Sequence, residues 1–207
     1  MVSNQLVTYL NEQRIKNGFL SIEQVVELAE TNTIFDPFSV LIGSGVKIGK
    51  GNTLYPNVTI ELTGGAIVIG DNNTFSSGLR IVSKSGEILI GNYNQIGENQ
   101  TLIQSTGSQI HINNYCRIMN GAIVLDGCYL GQGSQVLGTV KLTKCHLGDG
   151  ESYVEKNPNL RGGVIKGFGT AIDLRVDAGF VINGQGPMNQ TMVEKQETYH
   201  PNWRIEG

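Results

Sequence analysis

Histidine is the side chain best suited to moving protons near neutral pH, and this 207-residue chain has only three, at His111, His146 and His200. His111 stands immediately before Ile112, His146 immediately before Leu147, and Tyr129 stands before Leu130 in the same way. The three cysteines, Cys116, Cys128 and Cys145, are odd in number and form no CxxC pair, so no disulfide frame or zinc knuckle is written in their spacing. Cys116 and Cys128 fall four places after Ile112 and Val124. There a small buried residue is expected, with a disulfide or a thiol nucleophile as the alternative. The acidic residues offer no spaced acid/base pair. Gly184-Gln185-Gly186 is too short for a nucleotide loop and reads as a corner.

What must position these residues is a period of six. From Ile42 to Leu147 an aliphatic residue recurs and is followed closely by Gly, Asn or Asp, as in Ile48-Gly49-Lys50-Gly51-Asn52 and Ile69-Gly70-Asp71-Asn72-Asn73. The frame continues at Ile90, Ile96, Ile112, Ile118, Val124, Leu130, Val136 and Leu142. Such a period fits neither an amphipathic helix nor a hairpin meander, but it fits a parallel β-helix built of three short strands per coil. The 28 glycines suit a fold of repeated tight corners. Polar quartets at Leu62–Gly65, Ser83–Gly86 and Ser105–Ser108 lengthen successive coils to 21 or 22 residues at one corner, and later coils return to 18 and 17.

Strand side chains alternate, so the residues beside inward aliphatics point outward. Val68, Leu89, His111, Tyr129 and His146 should form one external ladder, with the two His roughly 10 Å apart at two strand spacings. That is too far to share a metal within one chain. A stripe containing Val, Leu and Tyr suggests a subunit interface.

The expected organisation has three parts. Residues 1–33 form an N-terminal helical segment, with Ser3 capping the first helix and Gly18 ending it. Ser21 and Gln24 form a capping box for the second helix. Its stripe of Ile22, Val25, Val26, Leu28 and Ala29 is expected to close the open first coil, or to bind a partner. Residues 34–186 form the β-helix, with an excursion loop at about 151–163. The frame is expected to resume at Val164, Thr170, Val176 and Ile182. Residues 187–207 form a tail with Tyr199, Pro201 and Trp203 as anchors. A net charge of −3 with no basic run favours neither nucleic acid nor an anionic membrane. No apolar run reaches the length of a membrane span and the first residues lack a signal-peptide pattern, so the cytoplasm is the expected compartment.

Two resemblances sharpen this reading. Ile34-Phe35-Asp36-Pro37 through Tyr55-Pro56-Asn57-Val58-Thr59-Ile60-Glu61 resembles the entry into the β-helix of the bifunctional N-acetylglucosamine-1-phosphate uridyltransferase/acetyltransferases. The looser hexapeptide-repeat resemblance covers about residues 34–186. It implies an all-β, left-handed parallel β-helix with an N-terminal helical cap, assembled as a homotrimer. It further implies a CoA-dependent acyltransferase, with acetyl-CoA as co-substrate, acting on a small hydroxyl or amine acceptor in the groove between subunits. In such enzymes a groove His deprotonates the acceptor and backbone amides polarise the thioester. By that resemblance His146 is the first catalytic candidate and His111 the second, and no metal is expected. Lys144-Cys145-His146-Leu147-Gly148-Asp149 is similar to a shortened form of the family's "H-L-x-Y-L-G-D" segment; the family's "R-P-G" and "G-N-F-V-E-V-K" elements are missing.

The middle of the chain, from Arg80 through Asp126-Gly127-Cys128, is similar to γ-class carbonic anhydrases. Gly121 and Asp126 occupy two positions where that class carries zinc-binding His. Keeping such a coil without those ligands is what the pointed-end β-helix subunits of dynactin look like, so a catalytically inactive scaffold or binding module is the alternative reading.

Overall fold

The structure, a computed structural model, describes residues 4–203. Most of the chain is a parallel β-solenoid of about 7 turns whose strands stack in register on three faces. Face 1 holds Thr33–Ile34, Thr53–Leu54, Thr74–Phe75, Gln95–Gly97, Arg117–Met119 and Gln135–Leu137. Face 2 holds Leu41–Ile42, Thr59–Leu62, Arg80–Ser83, Leu102–Ser105, Ile123–Leu125 and Val140–Thr143. Face 3 holds Lys47–Ile48, Ala66–Ile69, Glu87–Ile90, Ile110–Ile112, Tyr129–Leu130, His146–Leu147 and Arg175–Val176. The strand Val164–Ile172 runs from face 1 onto face 2 without a break. It bends at Gly167 and Gly169, both at positive φ, and a Cβ on Gly167 would lie 2.0 Å from the Gly184 carbonyl oxygen of the next layer. Only glycine fits that bend.

The inward residues are those of the six-residue frame: Ile42, Leu54, Ile96, Ile112, Ile118, Val124, Leu130, Val136 and Leu142 are all fully buried. After the excursion loop the frame differs from expectation by one residue. The inward pair is Ile165 and Ala171, opposite Val136 and Leu142, whereas Thr170 is exposed. The cause is a shortened corner. Leu142 to Leu147 and Ala171 to Val176 are five residues apart, and Lys144 (φ 55°) and Asp173 (φ 54°) make the tighter left-handed turn.

A second inward element is polar. At one corner the buried asparagines Asn32, Asn52, Asn73 and Asn94 stack coil on coil. Each side-chain Oδ1 accepts the backbone N–H of the next one, at 2.9 Å in all three steps. Asn94 Oδ1 accepts the Cys116 N–H at 2.7 Å, and the Cys116 thiol in turn donates to the Gly131 carbonyl at 3.2 Å. All three cysteines are buried and free. Burial pushes the Cys116 thiol up to about 11, so it serves as the small buried residue expected of it.

Both ends of the solenoid are covered. The second helix, α2 (Ile22–Leu28), follows the first, α1 (Asn4–Lys16), and starts with the expected capping box of Ser21 and Gln24. Val25 is fully buried and Leu20 and Leu28 pack on the core. Helix α1 behaves differently: Leu6 and Ile15 are exposed, and its one buried residue is Arg14. The Arg14 guanidinium donates to the Pro37, Phe38 and Val40 carbonyls at 2.8–3.2 Å. Ser3, expected to cap this helix, lies outside the described residues. At the other end the last coil strand, Phe180–Pro187, pairs with Val193–Lys195, the antiparallel partner that covers its edge.

Replacing Asn73 by Leu removes the acceptor of a buried N–H. Denaturant unfolding should show a loss of about 1–3 kcal/mol; an unchanged midpoint would contradict a structural role for the asparagine stack.

Candidate functional site

The outward column on face 3 has the register expected of it. Val68 pairs with Leu89, Leu89 with His111, His111 with Tyr129 and Tyr129 with His146. The structure extends it by Lys47 below and Arg175 above. Its upper rungs form a ring stack. The Tyr129 ring meets His111 edge-on at 5.3 Å between centroids and lies nearly flat on His146 at 4.7 Å, with 12° between planes. His111 and His146 are therefore two rungs apart with Tyr129 between them. His200, the third histidine, stands elsewhere, on the C-terminal tail.

Asp149, the last residue of the Lys144–Asp149 segment, adjoins this column through its hydrogen bonds. The Tyr129 hydroxyl donates to Asp149 Oδ2 at 3.0 Å, Asn113 Nδ2 donates to Oδ1 at 3.1 Å, and the Gln132 backbone N–H donates to Oδ1 at 2.8 Å. Burial pushes the Asp149 carboxyl up, but the bonds from Gln132, Tyr129 and Asn113, with the charge of His146, outweigh it and hold the pKa below its ordinary value. Burial, together with the bond to Asp149, pushes the Tyr129 phenol the other way. The Gln132 bond repeats a corner pattern: Asp71 Oδ1 accepts the Lys50 N–H at 2.7 Å and Asn114 Oδ1 the Asn92 N–H at 2.7 Å. Asp149 is thus a corner residue that also meets the ring column. Its signal in the sequence is the repeated aliphatic-Gly-Asp of Ile69-Gly70-Asp71 and Leu147-Gly148-Asp149.

Asp126 is a different kind of corner residue. Its Oδ1 accepts the backbone N–H groups of Thr106, Gly107 and Ser108 at 2.8, 3.1 and 3.0 Å, and its Oδ2 accepts the Thr106 hydroxyl. Desolvation opposes the charge, but these bonds outweigh it and hold the carboxyl down to about 2. The stacked small loops inferred from the quartets are present, and Asp126 closes the last of them. Gly121 sits at the opposite end of strand Ile123–Leu125, against the Asn99 carbonyl. Gly121 has no side chain to ligate a metal, and the Asp126 carboxylate is already occupied by the Thr106–Ser108 turn.

A cleft on face 1 was not foreseen. The excursion loop and the C-terminal tail fold back over the upper coils and are tied to each other, with Asn159 Nδ2 donating to Glu197 Oε2 at 2.9 Å. Gln196 Nε2 donates to the Gly162 carbonyl at 2.7 Å. Between them and the sheet lies a cavity of about 420 Å³, lined among others by Arg117, Arg161, Lys166, Tyr153, Tyr199 and His200. Arg161 Nη1 donates to His200 Nε2 at 3.2 Å. Burial and the charges of Arg161 and Lys166 hold that imidazole's pKa below its ordinary value. The tail therefore packs along the side of the coil, with Tyr199 as one anchor. No family model and no curated protein matches the chain. Among the described residues no helix is long and apolar enough to cross a membrane.

The Asp126 bonds give a pH signature. A depressed folded-state pKa contributes stability that is fully present above the unfolded value near 4 and is lost as pH falls through about 2. Asp126→Asn should cost roughly 1 kcal/mol at neutral pH, discounted for partial exposure. Denaturant midpoints should show the gap from wild type narrowing as pH falls through that window; a pH-independent gap would contradict the assignment.

Proposed function

We propose that the chain is a left-handed β-helix of the hexapeptide-repeat superfamily that assembles as a homotrimer and transfers an acyl group. The donor is acetyl-CoA and the acceptor a small molecule bearing a hydroxyl or an amine. The observation that carries this reading is the placement of His146 on an outward face, stacked on a tyrosine that is hydrogen-bonded to Asp149. His146 takes the proton from the acceptor as the acceptor atom attacks the thioester carbonyl. The C–S bond then breaks, and the departing CoA sulfur takes up a proton. The Asp149 carboxylate, bonded to Tyr129 and not to His146, favours the imidazolium that exists between these two events only through its charge. His111, two rungs below, is the second candidate base. A neighbouring copy lying along face 3 would supply the other wall of the groove, with Leu89 and Val68 as apolar contacts.

The second reading is an inactive assembly module. The bonding of Asp149 favours it, because its hydrogen bonds go to Tyr129, Asn113 and the Gln132 backbone and leave neither His oriented by a carboxylate.

Thermal melts with acetyl-CoA, desulfo-CoA and ATP, followed by a screen for acceptor-dependent release of free CoA thiol, separate the two. A ligand at about 100 times its dissociation constant adds roughly 2.7 kcal/mol to the folded state, so a CoA-specific rise in melting temperature is expected. His146→Ala should lower the transfer rate by about 10²–10⁴-fold while costing the free protein only the Tyr129 stack, about 0.5–1.5 kcal/mol. No stabilisation by any CoA compound at millimolar concentration would sink the acyltransferase and leave the assembly module.

A further inference from the structure

We infer that the cleft on face 1 is a binding site for a small organic phosphate, separate from the His column and complete within one chain. Three cations converge on one cavity: Arg117 from the solenoid, Lys166 from two layers above it and Arg161 from the excursion loop. No residue lining it is Asp or Glu. The acids nearby on the loop and tail are turned to other partners. Glu155 Oε1 accepts the Asn157 N–H at 2.9 Å, Glu194 Oε2 accepts the Tyr199 hydroxyl at 2.6 Å, and Glu197 meets Lys195 at 3.5 Å. The wall itself thus carries no carboxylate, although Glu194 is bonded to the wall residue Tyr199 and the charge of Glu155 partly offsets that of Arg161.

Two of the cations, Arg117 and Lys166, are held by aromatic rings, while Arg161 is fixed by donating Nε to the Glu155 carbonyl at 2.7 Å and Nη1 to His200. The Tyr153 ring covers the Arg117 guanidinium at 4.3 Å, and Gln95 Nε2 fixes that ring by donating to its hydroxyl at 3.1 Å. Lys166 Nζ lies 4.0 Å from the centre of the Tyr199 ring. A ring on the face of a guanidinium leaves the in-plane N–H groups of its fork free to meet a phosphate. Arg117 Nε is itself buried, out of reach of a ligand in the cavity, and has no hydrogen-bond partner within the protein, so any bond to a phosphate comes from its Nη groups. Leu137, Val164 and Val181 add apolar wall, suited to an uncharged ring or carbon chain attached to the phosphate. A cavity of about 420 Å³ has the size of ordinary small-molecule sites. Phosphate is favoured over a lone carboxylate because a dianion matches several cations.

The test is isothermal titration of the full chain with inorganic phosphate, glucose 6-phosphate, glucose and desulfo-CoA. Saturable binding of glucose 6-phosphate, stronger than that of inorganic phosphate and absent for glucose, is expected. Arg117→Gln and Lys166→Gln should each weaken it by at least about tenfold, and His146→Ala should leave it unchanged. Should Arg117→Gln fail to fold, Lys166→Gln carries the test alone. No binding of either phosphate, or binding indifferent to Lys166→Gln, overturns the proposal. Binding of desulfo-CoA alone, lost in Lys166→Gln, also overturns it and assigns the cleft to the nucleotide of the acyl donor. Because the His column is untouched by these variants, failure here leaves the acyl-transfer reading standing.

Discussion

Each coil of this molecule must sit in register on the one before it, because a solenoid has no other way to pair its backbone groups. The parallel ladders on three faces meet most of that demand, but a ladder of short strands is interrupted at every corner. The buried asparagines bridge one such interruption. Asn52, Asn73 and Asn94 each accept a backbone N–H with Oδ1, and Asn52 and Asn73 use Nδ2 to donate to the carbonyls of Gly70 and Gly91. A stack that can be satisfied in only one register fixes register, and a slip by one residue would turn every outward side chain inward. Where the stack ends, at Asn94, its Nδ2 is left without a partner and Cys116 takes over the position.

The surface chemistry follows from that registration. His111, Tyr129 and His146 form a stack because they occupy one position on three consecutive layers about 4.8 Å apart, a spacing close to that of stacked rings. The corner adjoining them adds Asp149 by the same rule. The cost of such regular corners is visible where glycine is not used. Tyr93 and Tyr115 hold φ of 58° and 57° in a corner column that also contains Gly51, Asn72 and Gly133. A bulky residue in that region is strained by about 1 kcal/mol or more. The two rings stack on each other, 5.0 Å apart with 4° between planes, and such a pair recovers about 0.5–1.5 kcal/mol.

Period six and strand alternation are local properties, which is why the solenoid and the order of the His column could be read from residue types alone. The capping box was equally local, since Ser21 and Gln24 meet across three residues. The asparagine stack was visible as the recurring Asn of Gly51-Asn52, Asn72-Asn73 and Tyr93-Asn94, but whether its side chains turn in or out depends on corner conformation. The one-residue shift at Ile165 and Ala171 escaped because Val164, Ile165 and Thr170 all suit a strand, and only pairing with Val136 and Leu142 chooses among them. The face 1 cleft was the least legible. Its contacts join Gln95 to Tyr153, Asn159 to Glu197 and Arg161 to His200, across tens of residues with no repeating pattern to announce them.

The central claim is that the column on face 3 works at a boundary between copies of this chain, where a single copy offers only one wall. Sedimentation equilibrium of the purified protein, beside a Leu89→Asp variant that places a charge in the column, tests this most directly. A homotrimer that the variant breaks into folded single chains is the result the account requires. A wild-type protein that sediments as a single chain throughout the micromolar range would contradict it.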